Sequence, residues 1–231
     1  MEWPSFIQQS SLFPSFKDDN EGLTPSFSID SQIWQILDPE SSNSLKKQLL
    51  SGINNIQSGV SLDSMDVTFD QSKGPVVIEK SAKVEPGCHF IGPCYIGPNA
   101  QIRHGAYVRE FSWICSDAVV GHCSEVKHSI LLPGAKAPHF NYVGDSILGK
   151  GVNLGAGTKL SNLRNDGGEV HVRIDGKRIG SGLRKFGAIL GEGCQLGCNS
   201  VTNPGTVLGC NSTVWPNVTV TGIHPNQSNH R

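Results

Sequence analysis

The sequence predicts an all-β fold, a parallel β-solenoid preceded by a short helical extension, and three observations carry that expectation. Aliphatic or aromatic residues recur at intervals of six: Ile78, Val84, Phe90, Ile96, Ile102, Val108, Ile114, Val120, Val126 and Leu132. The beat returns over Leu148–Leu160 and again over Leu190–Val220. Six matches neither an amphipathic helix nor an ordinary half-buried strand, and it suits three short strands per turn. Four residues after most of these positions the side chain is small, as at Ala82, Cys88, Cys94, Ala100, Ala106 and Ala118, because a narrow interior has no room for two bulky fillers. Glycine often follows the aliphatic residue, as at Gly97, Gly121, Gly155 and Gly191, which suits left-handed backbone at a corner.

Residues 1–74 lack the beat and form the expected N-terminal extension. Pro4, Pro14 and Pro25 argue against a long helix at the start. Ser31–Leu37 is expected to form a short helix carrying Ile33, Trp34, Ile36 and Leu37. A longer helix is expected from about Ser42 to Ile56, with Leu45, Leu49, Ile53 and Ile56 on one face. Its apolar stripe is expected to pack on the first coil and hide an open strand edge. The solenoid is expected over 75–222 in about six to seven coils. Its beat shifts phase between Pro133 and Ile147 and breaks again over 163–185. There Asn165-Asp166-Gly167-Gly168 and Asp175-Gly176 are turn pairs around alternating Val170, Val172 and Ile174, which predicts a β-hairpin projecting from a corner. Residues 223–231 read as a polar, frayed tail.

A formal charge of −1 argues against a general nucleic-acid binder. No run approaches the roughly 20 apolar residues of a membrane span, and Met1-Glu2-Trp3-Pro4 lacks the basic-then-apolar start of a signal peptide. The seven cysteines include no CxxC pair, and Cys88, Cys94 and Cys194 fall on the small-residue beat as compact hydrophobes. A reduced, cytoplasmic setting without a bound metal is expected.

Chemistry gathers where the beat breaks. The first break reads Ala137-Pro138-His139-Phe140-Asn141-Tyr142-Val143-Gly144-Asp145, and the next coil Asn153-Leu154-Gly155-Ala156-Gly157-Thr158, then Ser161-Asn162-Leu163-Arg164. These segments resemble the left-handed β-helix acetyltransferase half of bifunctional sugar-1-phosphate nucleotidylyltransferase/acetyltransferases, the enzymes that make UDP-N-acetylglucosamine. The archaeal-type branch is most similar, since it too carries a hairpin insertion followed by a stretch like Arg184–Gly191. The resemblance covers about 75–222. It implies a left-handed parallel β-helix, a homotrimer with acetyl-CoA between adjacent solenoids, and direct acetyl transfer to the amine of glucosamine 1-phosphate. The nucleotidylyltransferase half has no counterpart before residue 75, so a separate nucleotidylyltransferase is an expected partner.

The resemblance makes His139 the general base, and the chemistry asks for one: a sugar ammonium must lose a proton before it attacks a thioester, and imidazole titrates near working pH. Read alone, His139 is a solvated loop histidine. Glu125 stands fourteen residues earlier, where the family has a glutamate that supports its catalytic histidine. Tyr142, Asn153 and Asn162 match positions that contact the sugar and its amine. The Ala156 N–H is a candidate oxyanion donor, and Ala156, Cys198 and Pro216 match the positions that hold CoA through main-chain groups. Arg103, Lys127 and Lys185 match phosphate contacts. Arg109 and Lys127 are eighteen residues apart, one coil, and their stacked charges favour an anion or a carboxylate between them. A counterpart of the long C-terminal arm of the uridyltransferase branch is not expected, and Leu163 stands where that branch has tyrosine.

Two other classes stay open. A hexapeptide solenoid also serves as a trimerisation or regulatory module, although such a scaffold has no reason to keep a general base beside an anion cluster. Zinc carbonic anhydrases share the architecture, and His104 and His122, eighteen apart, are expected to stack. The pair of histidines five residues apart that the zinc site uses is missing.

Overall fold

The computed structural model describes residues 5–16, 21–29, 31–54, 56, 58–59 and 66–231. Three parallel eight-stranded sheets form the walls of a β-solenoid. Face A runs from Thr68–Asp70 to Thr219–Val220, face B from Val76–Ile78 to Ile223–His224, and face C from Lys83–Val84 to Asn229–His230. The chain visits A, B and C in turn, so each coil has an A–B, a B–C and a C–A corner.

Eight strands per face exceed the six to seven coils expected, and the difference lies at both ends. Thr68 already pairs with His89, ahead of residue 75. Residues 223–231 are not a frayed tail: Ile223–His224 pairs with Val207–Leu208, and Asn229–His230 with Thr213–Val214. Those last partners are sixteen residues apart instead of eighteen, which takes them off the six-residue beat.

The interior is the stacked aliphatic beat. Ile78, Phe90, Ile96, Ile102, Val108, Ile114, Val120 and Val126 are buried, with Cys88, Cys94, Ala100, Ala106 and Cys194 filling between them. Small hydroxyls share this beat because each can donate to a neighbouring carbonyl, as Ser112 does to Val126 at 3.0 Å and Ser212 to Gly209 at 2.7 Å. All seven cysteines are free, and burial pushes the Cys194 thiol up to about 12.

The glycines after the aliphatic residues do a different job from the one expected. Left-handed backbone sits two positions later, at Asn99, Gly105, Phe111, Asp117 and Cys123, then at Asn199, Asn211 and Asn217. Gly121, Gly155 and Gly197 are needed instead for close approach: a Cβ would stand 1.7 Å from the Pro138 oxygen, 2.5 Å from the Cys198 nitrogen and 2.5 Å from the Pro216 nitrogen.

The left-handed corners also locate the phase shift. Val108 pairs with Val126, eighteen residues on, but Trp113 pairs with Ile130, seventeen on. The residue is lost at the A–B corner, where the left-handed position moves from Cys123 to His128, and the same short step recurs from Phe140 to Asp145. Leu131 is therefore the inward residue, and Leu132, the expected end of the first run, packs outside.

Face B is covered. The 3-10 helix Ile33–Leu37 buries Ile33, Trp34, Ile36 and Leu37. After the short α1 (Gln9–Leu12), α2 (Leu45–Ile53) buries Leu45, Leu49 and Ile53, and the Ser44 hydroxyl caps it by accepting from the Lys47 N–H. These side chains join Val77, Tyr95, Trp113, Ile130 and Ile147 in one outer cluster. The extension thus straps a whole face instead of capping the first coil. Near the top, the Leu23 N–H donates to Tyr95 Oη at 2.9 Å. Near the bottom, the Glu192 N–H donates to the Leu12 carbonyl at 2.9 Å. The hairpin, His171–Ile174 with Lys177–Gly180, lies back on the lower part of the same face, with Val170 and Val172 fully buried beside Ile189, Val207 and Ile223.

Candidate active site

The short A–B corners bring a polar cluster to one edge of face A. Each short corner turns on a non-glycine residue in left-handed backbone, His128 at φ 42° and Asp145 at φ 48°, a conformation that persists only where surrounding contacts fix it. Asp145 is buried, and its partners come from the coils on either side of its own. His128 Nδ1 lies 2.9 Å from Oδ1, Lys127 Nζ lies 3.6 Å from Oδ2, and Asn162 Nδ2 donates to Oδ2 at 2.5 Å. Burial pushes the Asp145 carboxyl up, but the His128 hydrogen bond and the His128 and Lys127 charges outweigh it and hold the group below its ordinary value. Tyr142 stands on face A beside Asn162, and burial raises its hydroxyl.

Above this cluster Arg109 Nη1 donates to Glu125 Oε1 at 2.8 Å, and its Nε is 3.8 Å from Glu110. Below it Lys185 re-enters the solenoid at the foot of the hairpin, where the neighbouring Lys127 ammonium, then burial, holds its ammonium below the ordinary value. Arg109, Lys127, His128, Asp145 and Lys185 line a cavity of about 550 Å³.

A second group stands at the C–A corner. His139 is exposed, and Asn141 fixes its backbone: Oδ1 accepts from the His139 N–H at 3.0 Å, and Nδ2 donates to the Gly155 carbonyl at 2.8 Å. Ala156, Cys198 and Pro216 follow His139 along that corner, since Gly157 donates to His139, Asn199 to Ala156 and Asn217 to Cys198. The N–H groups of Ala156 and Cys198 have no hydrogen-bond acceptor among the described residues. Pro216 has no N–H and can offer only its carbonyl.

Two predicted positions fall elsewhere. Asn153 is on face C, in register with Lys136 and Gln195. Arg103 follows the face C strand Gln101–Ile102, and its guanidinium donates to Gln101 at 3.3 Å. It is twenty-four residues from Lys127, a coil plus a face, whereas Arg109, one coil away, reaches the cavity. Glu125 engages Arg109, and the His139 imidazole makes no hydrogen bond among the described residues. His104 and His122 stack as expected, with centroids 5.6 Å apart and planes at 12°. Among the described residues no group of three or more His, Cys, Asp or Glu could hold a metal, and no helix is long and apolar enough to cross a membrane.

Fold and six-residue repeat together define a hexapeptide-repeat β-solenoid protein. The family model described as the GMPPB C-terminal domain matches residues 90–179. A bifunctional sugar-1-phosphate nucleotidylyltransferase/acetyltransferase of Sulfurisphaera tokodaii is 36% identical over 148 residues, 64% of this chain and 37% of that protein. The bifunctional protein GlmU of Methanocaldococcus jannaschii is 36% identical over 133 residues, 58% of this chain and 32% of that protein. The chain is a homologue of such GlmU-type bifunctional proteins over this part of its length, and it spans about a third of the curated relatives it matches. The acetyltransferase domain of PglB from Neisseria gonorrhoeae FA1090, solved with acetyl coenzyme A, matches 89% of this chain and 81% of its own at 14% identity and a TM-score of 0.38.

Proposed function

We propose that the protein transfers acetyl from acetyl-CoA to the amine of an amino-sugar 1-phosphate, with glucosamine 1-phosphate the first acceptor to test. The observation that carries this reading is the pair of unpartnered N–H groups at Ala156 and Cys198, in line with His139 and one face away from a cavity rich in cations. The homology to proteins named as sugar-1-phosphate acetyltransferases supports it.

In this reading the sugar ammonium first gives one proton to solvent, and the His139 imidazole takes a second from the nitrogen as it attacks. The amine nitrogen attacks the thioester carbonyl, the new C–N bond forms, and the C–S bond breaks without an acyl-enzyme intermediate. The carbonyl oxygen gathers negative charge and is met by the Ala156 N–H, while the imidazolium returns its proton to the leaving CoA thiolate. Asn162 and Tyr142 hold the sugar, and Lys127, Arg109 and Lys185 its phosphate. Glu125 acts by holding Arg109. A homotrimer would set the CoA groove of one solenoid against its neighbour, bringing Asn153 on face C toward an adjoining site.

The test is acetyl-CoA consumption with glucosamine 1-phosphate, and with galactosamine 1-phosphate beside it. His139→Ala is expected to lower turnover about 10²–10⁴-fold, the usual contribution of a positioned base. If the unaltered protein turns over neither sugar, a non-catalytic trimerisation module becomes the better reading.

A further inference from the structure

The 550 Å³ cavity is not walled by the solenoid alone. Leu37, Asp38, Pro39 and Lys46 of the extension form one side, and Gly182–Lys185 at the foot of the hairpin form another. Its carboxylates are already engaged: Asp145 by His128, Lys127 and Asn162, Glu110 by Lys73 at 2.5 Å, and Asp38 by the Glu40 N–H at 3.0 Å. Of its cations, Arg109 pairs with Glu125 and Lys127 with Asp145, but the other three have no such partner. Lys46, Arg184 and Lys185 have no carboxylate within 4.0 Å among the described residues, and Lys46 Nζ rests 5.6 Å over the Phe111 ring. Arg109 adds a buried Nε with no hydrogen-bond acceptor. Convergent cations without counter-ions in a cavity of small-molecule size, about 300–1,000 Å³, describe a seat for an anionic organic ligand.

We propose that the extension and the hairpin foot supply part of a phosphate-binding subsite, with Lys46 of α2 and Arg184 of the hairpin foot meeting the ligand in the cavity that Lys127 also lines. Lys46 and Arg184 are then binding residues that the solenoid repeat does not provide, and the strap over face B is part of the site's specificity. The subsite takes the phosphate of a phosphorylated sugar; the inference rests on the proposed function for the identity of that sugar, not for the anion.

Calorimetric titration of the full chain with inorganic phosphate and with glucosamine 1-phosphate tests it. Lys46→Ala and Arg184→Ala are each expected to weaken both ligands about tenfold, the scale of one charge-assisted hydrogen bond. Lys46→Arg should retain most of the affinity, the hairpin-tip variant Lys177→Ala all of it, and the sugar phosphate should bind more tightly than the bare ion. Unchanged thermal midpoints show that the variants fold, as expected for exposed side chains. Wild-type affinity in both Lys46→Ala and Arg184→Ala, or no phosphate binding by the unaltered protein, overturns the proposal. Binding that depends on Lys46 without any acetyl transfer overturns the acetyltransferase reading and leaves this one standing.

Discussion

Asp145 is the residue on which the A–B corner turns. It carries one negative charge among His128, Lys127 and Asn162, and breaking such a buried set by removing one partner costs about 3–5 kcal/mol. Asp145→Asn is expected to lose stability on that scale in urea melts. The sign of the pH dependence follows from its lowered carboxyl. The stabilisation is complete above the ordinary value of 3.8 and is lost as pH falls through the depressed one, so the gap between wild type and variant should close only in strong acid. Much at this scale was legible. The beat named the inward residues, and the breaks led to His139, Tyr142 and Asn162. What stayed hidden was the exact step at which a residue drops out, because Leu131 and Leu132 are equally apolar and only the backbone at His128 decides between them. With that step misplaced, the pairing of His128 with Asp145 went unseen.

At the scale of elements, the helices were readable and their destination was not. An apolar stripe announces that a helix will be covered without naming what covers it. The signal was nevertheless present in the partner. On face B the residue before each inward aliphatic is itself apolar, as in Val77-Ile78, Tyr95-Ile96, Trp113-Ile114, Ile130-Leu131, Ile147-Leu148, Ile189-Leu190 and Val207-Leu208. Most strands of faces A and C instead open with a polar residue, as at Lys83, His89, Gln101 and Glu125. A wall apolar on both sides must be buried on both sides. Trp34 is the clasp: it is 1% exposed and stacks on Phe186, with centroids 5.9 Å apart and planes at 28°. Trp34→Ala is expected to cost about 3–5 kcal/mol. It should also speed proteolysis within the extension before the solenoid yields, read as early cleavage ahead of residue 66.

At the scale of the whole molecule, contacts run between the two ends of the sequence. Leu12 accepts from Glu192, the Ser15 hydroxyl donates to Glu192 at 2.7 Å, and the Cys210 thiol donates to the Leu12 carbonyl at 3.2 Å. Coil-on-coil pairing spans only sixteen to twenty-one residues away from the insertion, so the solenoid can grow from local steps while the strap must wait. Two adjacent amides report the order. The Gly191 N–H donates to Leu208 and the Glu192 N–H to Leu12, so pulse-labelled exchange during refolding should protect Gly191 first. The strap has one more consequence. A polypeptide that stopped short of Gly191 would hold the first part of its covering with no seat for it, leaving a greasy ribbon open to water. Sealing that ribbon is something only the finished chain can do.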